Sequence, residues 1–296
     1  MLPELRLLSE YPALAANREP TKRFPFLGEI EKSPFLEGRS YIIVALSKMG
    51  KTALTIRVVL DWTDQKILWI TEESRRTWED RSLKLKLEGK GTNVMLCHAM
   101  GMAVKDIERV VNQTEWDVLV IDTLKVLQIP DENDTAEVMK RLRPFLAKQQ
   151  EEDKLTIFLH HSRKAGGAYG LAGAGSHAFI AAVDTELEIA PYKQTNQRRL
   201  SGRGRDDVEP LVYMLEDGKM TVVQKVGSIS EQLMEVLTSE WQSTKELAEA
   251  LDPEPKDAGR ALKALAALGR IERNPPKGGQ GTTFYWRRVD ESIEGT

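Results

Sequence analysis

Ser40-Tyr41-Ile42-Ile43-Val44-Ala45-Leu46-Ser47-Lys48-Met49-Gly50-Lys51-Thr52 decides the fold. Its first half is an unbroken apolar run, which reads as a strand buried on both faces. Its second half is a short polar turn that opens a segment of helical period. A buried strand, a turn ending in Gly-Lys-Thr and a helix are the context that a phosphate-binding loop requires. Backbone N–H groups from Ser47, Lys48 and Met49 onward can cradle phosphates there, and Gly50 lets the backbone approach closely. Lys51 would reach the β/γ-phosphates, and the Thr52 hydroxyl would ligate Mg²⁺. A nucleotide and Mg²⁺ are therefore the expected cofactors, although Ala45 stands where such loops usually carry their first glycine.

Outward from this loop, short apolar runs alternate with helical segments as far as Ala190. The strand candidates are 41–45, 67–71, 94–97, 118–121, 156–160 and 186–189, with helices beginning near Lys51, Arg75, Val104, Thr135 and Ser176. This alternation predicts an α/β fold with a mostly parallel sheet, buried on both faces. Period-two segments follow at 199–203, 211–215 and 220–224. The turns between them, Arg205-Asp206-Asp207 and Asp217-Gly218-Lys219, predict an antiparallel extension.

Two of these strands end in acids. Asp122 closes Val118-Leu119-Val120-Ile121, where it could hold Mg²⁺ beside the loop. Glu72 and Glu73 close Ile67-Leu68-Trp69-Ile70-Thr71, where one carboxylate could polarise the water that attacks a γ-phosphate. Both glutamates could equally cap the following helix, whose first turn favours negative charge.

Composition narrows the classes. Hydrophobic residues make up 41% and charged residues 29% of 296 positions, which fits a globular chain of one large and one small domain. The formal charge of −3, from 42 cations and 45 anions, assigns any nucleic-acid binding to local patches. The single Cys97 can form no internal disulfide, and its neighbours Met95 and Leu96 predict a buried thiol. The apolar runs are too short to span a bilayer and the N-terminus lacks a secretory pattern, so a cytoplasmic location is expected. Residues 1–39, with five prolines, read as an arm or linker that packs against a neighbouring subunit.

Residues 227–296 have a third texture: helical segments near 229–237, 244–251 and 256–268, then two short strands around 275–281. This is the outline of a winged helix-turn-helix, with Ser243-Thr244-Lys245-Glu246 as a capping box. Between Lys256 and Arg288 stand eight cations, Arg260, Lys263 and Lys277 among them, against two anions. That imbalance suits a phosphate backbone. Protein docking is the other use of such a module.

Pro25 to Gln224 resembles the RecA-like P-loop ATPases of the hexameric replicative helicase type, in particular the plasmid and phage RepA helicase group. The resemblance rests on Ser47-Lys48-Met49-Gly50-Lys51-Thr52, Glu72-Glu73-Ser74 with Arg76 and Arg81 following, and Val120-Ile121-Asp122-Thr123-Leu124. His160-His161-Ser162-Arg163-Lys164 and Gly173-Ala174-Gly175-Ser176 leading to Val183-Asp184 complete it. It implies ATP as the nucleotide, Glu72 as the catalytic glutamate, Asp122 as the Mg²⁺ aspartate and His161 as a γ-phosphate sensor. It implies Arg203 and Arg205 as a basic pair reaching into the neighbouring subunit's nucleotide, and Arg163 and Lys164 at the entrance of a loop gripping single-stranded DNA in a central channel. The expected function is an oligomeric, homo-hexameric DNA translocase or helicase replicating a mobile element, with duplex DNA on the winged helix and a primase or replication initiator as partner. Its rivals are a nucleotide-switched DNA-binding ATPase, such as a helicase loader, recombination mediator or regulator, and a protein-docking scaffold.

Overall fold

The computed structural model describes residues 20–31, 33–161, 177–192, 194–205, 208–216, 219–225, 229–251, 258–274 and 283–289. The phosphate-loop strand is β1 (Ser40–Ala45), buried at all six positions, and it leads into α1 (Lys51–Leu60). Then follow β2 (Ile67–Thr71), α2 (Arg75–Lys84), β3 (Val94–His98), α3 (Val104–Gln113), β4 (Val118–Asp122), α4 (Thr135–Glu151), β5 (Leu155–His161), α5 (His177–Ala182) and β6 (Thr185–Pro191). Three more strands, β7 (Gln197–Gly204), β8 (Leu211–Glu216) and β9 (Lys219–Lys225), finish a nine-stranded sheet of order β3-β2-β4-β5-β1-β6-β7-β8-β9. The first six strands pair in parallel and the last three antiparallel.

Helices cover both faces. Leu54, Ile56 and Val59 of α1 and Trp78 of α2 pack with Tyr41, Ile43 and Trp69 on one side. Ile107 of α3, Leu142 and Phe145 of α4 and Phe179 of α5 pack with Ile42, Val44 and Ile121 on the other. Adjacent β1 residues thus feed opposite cores, which is why the strand reads as continuous rather than alternating. Each such large aliphatic side chain contributes about 1.5–3 kcal/mol on burial.

Two regions depart from the expectation. Residues 20–37 are not a separate arm: Phe24, Phe26 and Phe35 lie in the core beside Trp62. The Trp62 indole N–H donates to Pro25 O at 2.8 Å, and the Tyr41 hydroxyl donates to Pro34 O at 2.7 Å. Aromatic anchors separated by prolines have no period, so the pattern hid their burial. Residues 1–19 lie outside the described residues. Strand β3 is not buried on both faces either. It is the last strand on its side of the sheet, Met95 and Leu96 are 40% and 42% exposed, and Cys97 is only half-buried.

Beyond residue 228 stand α6 (Ile229–Val236), β10 (Gln242–Ser243), α7 (Thr244–Glu249), α8 (Ala258–Ala267), β11 (Ile271–Asn274) and β12 (Tyr285–Arg288). Leu233, Leu247, Leu262, Leu265 and Trp286 form a core of their own. The strands make a three-stranded sheet of order β10-β12-β11, so the expected pair around 275–281 is displaced outward to flank that segment, and β10 is an addition. The capping box forms: Glu246 N donates to Ser243 Oγ at 3.1 Å, and Ser243 N to Glu246 Oε2 at 2.7 Å.

Candidate functional site

The register of the parallel strands brings distant residues to one edge. Ala45 pairs with His161, and Thr71 pairs with Asp122. The C-terminal ends of β1, β2, β4 and β5 therefore open together, where α/β sheets hold their ligands. Gly50 precedes α1 with φ 88°, a left-handed conformation that suits glycine. Gly50 and the first two residues of α1, Lys51 and Thr52, border the opening.

A cavity of about 390 Å³ lies there, lined by Ser47, Lys48, Gly50, Lys51, Thr52, Glu72, Glu73, Arg81, Asp122, Thr123 and His161. Among the expected loop residues Met49 is absent from this wall. It lines a second cavity of about 330 Å³ that shares Lys48 and Gly50 with the first and continues to Asn196, Arg198 and Tyr213.

The buried Lys51 ammonium donates to Ala45 O at 3.1 Å and meets His161 Nδ1 at 2.9 Å. Burial lowers its pKa to about 8, against the raising influence of Asp122. His161 is likewise held below the usual histidine range, first by burial and then by the Lys51 charge. A neutral imidazole accepting from Lys51 at Nδ1 carries its proton on Nε2. His160, the preceding residue, faces the core against Phe179.

The Thr52 hydroxyl donates to Asp122 Oδ1 at 3.3 Å. Asp122 is pushed up to about 7 by burial, then by the neighbouring Glu73 charge. Its Oδ2 is buried with no hydrogen-bond partner among the described residues. A buried orphan acceptor beside a hydroxyl, both oxygen donors, fits a hard divalent cation such as Mg²⁺.

The two glutamates have different surroundings. Glu72 Oε1 accepts from the Thr123 hydroxyl at 3.1 Å. Glu73 Oε1 accepts from Arg81 at 2.6 Å, and the guanidinium lies over the Trp78 ring at 5.3 Å. Glu73 is thus committed to an ion pair, whereas Glu72 keeps a carboxylate held by one neutral donor. Sequence reasoning gave Arg81 and Thr123 no role. Thr123 directly follows Asp122, while Arg81 lies two helical turns beyond Glu73, a spacing whose meaning depends on where α2 points.

Arg203 and Arg205 do not line the cavity. Arg203 pairs with Glu186 at 2.6 Å and the exposed Arg205 with Asp184 at 3.1 Å. Gly204 between them is required by closeness: a Cβ there would sit 2.2 Å from Asp184 O, just before β6. Arg260 and Lys263 are exposed on α8. Arg163, Lys164 and Lys277 lie outside the described residues, and no helix among the described residues is long and apolar enough to cross a membrane.

A parallel sheet with a phosphate loop after β1, a carboxylate pair after β2 and an aspartate at the end of β4 defines a RecA-like P-loop ATPase. The chain belongs to the AAA domain family, whose model matches residues 9–167, more than half its length. Among solved structures it is similar to the ATPase domain of another protein, with 14% identity, 73% of this chain and 97% of that chain covered, and a TM-score of 0.54. That likeness bears on the fold. A KaiC-like protein from Pyrococcus horikoshii, at 15% identity, covers 69% of this chain and 100% of its own with a TM-score of 0.49. The RadB recombinase, at 13% identity, covers 65% and 94% with a TM-score of 0.48. No curated protein matches the sequence.

Proposed function

We propose that this chain is an oligomeric ATP-hydrolysing DNA translocase or helicase, of the RepA helicase type, acting in the replication of a plasmid or phage. The observation that carries the reading is the convergence of Lys51, Thr52, Glu72, Asp122 and His161 on one cavity at the ends of neighbouring parallel strands.

In this reading Lys51 exchanges its contacts with Ala45 O and His161 for the β/γ-phosphates. Its burial strengthens that attraction, because a poorly solvated cation loses little further hydration. Thr52 and Asp122 are the residues that would hold Mg²⁺, which when bound neutralises charge on the phosphates. Glu72, oriented by Thr123, accepts the proton of the attacking water. His161 is relieved of Lys51 when the lysine turns to phosphate, and it immediately precedes Ser162-Arg163-Lys164 in the chain. This offers a short route from nucleotide state to cations that grip a DNA strand. The second cavity takes the nucleoside, with Met49 and Leu215 as apolar walls and Asn196 as a polar contact. Arg205, and Arg203 beside it, serve the neighbouring protomer's nucleotide in a hexamer. The C-terminal helices and sheet act as a winged helix whose α8 presents Arg260 and Lys263 to duplex DNA.

Strand displacement on a forked duplex tests this. The wild-type protein should hydrolyse ATP, faster with single-stranded DNA, and separate the fork, while Lys51→Ala does neither and keeps its fold. Hydrolysis without displacement would replace the motor by a nucleotide-switched DNA-binding ATPase, and absence of hydrolysis would end the reading.

A further inference from the structure

A third cavity, of about 320 Å³, lies on the α1 and α2 side of the sheet, beside the edge strand β3. Ile56 and Val59 of α1, Leu87, Val94 and the rings of Trp69 and Trp78 give it mostly apolar walls. It shares no lining residue with the phosphate cavity, yet two of its residues reach toward Glu73 of that site. The Trp78 ring lies under the Arg81 guanidinium that pairs with Glu73, and His98 Nδ1 donates to Glu73 O at 2.9 Å.

The two indoles stand edge to face, with ring centroids 5.3 Å apart, and differ in their N–H groups. The Trp78 N–H donates to Thr71 Oγ1 at 3.3 Å. The Trp69 ring is fully buried, and its N–H has no hydrogen-bond partner among the described residues. A buried indole N–H ordinarily finds an acceptor, because leaving it without one costs its full desolvation. The apolar walls supply none, whereas a molecule entering the cavity can. Charge adds a second requirement. Arg75 and Lys90 are exposed, have no ion pair among the described residues, and outnumber Glu79, the one carboxylate in the wall. The volume is at the low end for ligand pockets and suits one or two rings.

We infer that this cavity is a second ligand site, which takes a small planar aromatic carboxylate. The ring system packs against Trp69 and Trp78, an oxygen of the ligand accepts the Trp69 N–H, and Arg75 and Lys90 supply the countercharge. The site is separate from the nucleotide cavity and does not rest on the hydrolytic reading, so Lys51→Ala should leave it intact.

Calorimetric titration of the full chain without nucleotide, with 2-naphthoate and with its neutral isostere 2-naphthamide, tests the assignment. 2-Naphthoate should bind at one site per chain. 2-Naphthamide keeps an oxygen acceptor but loses the charge, and should bind about tenfold more weakly. Arg75→Ala combined with Lys90→Ala should erase that difference by weakening the naphthoate alone. Trp69→Phe keeps a ring and removes the N–H, and should weaken both compounds about tenfold. Saturating ADP should displace neither. Circular dichroism checks the fold of each variant, and if Trp69→Phe does not fold, the exposed pair Arg75 and Lys90 decides by itself. Absence of saturable binding, equal affinity of the two compounds for the wild type, unchanged naphthoate affinity in folded Trp69→Phe or in the double alanine variant, or displacement by ADP would each overturn the site.

Discussion

Lys51 Nζ lies 2.9 Å from His161 Nδ1, joining the loop after β1 to the last residue of β5. The two residues are 110 positions apart in the chain. Their contact puts the lysine of the loop and the imidazole at the strand end in one hydrogen-bonded unit.

A pH dependence follows from that unit. His161 is lowered by burial, by Lys51 and by Lys125, with Glu73 opposing. As pH falls through the ordinary histidine value, the unfolded chain takes up a proton that the folded protein refuses, so stability is lost on the acid side. Denaturant midpoints measured between about pH 7 and 5 should fall less steeply for His161→Gln than for wild type. Equal slopes would mean that His161 titrates normally.

The unequal partners of the two glutamates separate their variants. Glu72→Gln should bind ATP and turn it over at least about a hundredfold more slowly, because the proton acceptor is lost. Glu73→Gln should retain more activity. Single-turnover assays decide it, and the reverse order would make Glu73 the base.

Arg81 and Glu73 should behave as a coupled pair. Arg81→Ala leaves a partly buried carboxylate without its cation and should cost about 1–3 kcal/mol of stability. Combined with Glu73→Gln, the loss should be smaller than the sum of the single losses. Chemical denaturation of the four proteins measures the coupling, and strict additivity would remove the ion pair from the account.

Gly204 should tolerate no side chain. A Cβ at 2.2 Å from Asp184 O must push β7 away from β6. Gly204→Ala is expected to cost about 1–3 kcal/mol and to disturb the Arg203 and Arg205 pairings. A thermal midpoint unchanged from wild type would contradict this packing.

Arg205 should act between protomers. Its exposed guanidinium is paired with Asp184 and stands outside its own phosphate cavity. Arg205→Ala and Lys51→Ala, each inactive alone, should recover some ATPase activity when mixed, because some interfaces then join an intact loop to an intact arginine. Mixed oligomers that remain inactive at every ratio would favour a site complete within one chain, unless turnover requires every interface of the ring to be intact.

The strands of the nine-stranded sheet, the phosphate loop and the acids that end β2 and β4 were legible in the residue order alone. Each is written in a stretch of a few residues, as an apolar run closed by a polar side chain. The capping box at Ser243 and Glu246 was legible for the same reason. Other features arise only from pairing over long separations. Strand order made β3 an edge, which exposed Met95 and Leu96 despite their apolar run. Trp62 and Tyr41 gave Pro25 and Pro34 their hydrogen bonds and drew residues 20–37 into the core. The direction of α2 brought Arg81 back onto Glu73, and the pairing of β6 with β7 put Arg203 on Glu186. Local hydrophobic pattern reports which face of an element is buried, whereas register and strand order, set by the summed contacts of the whole sheet, choose what that face meets.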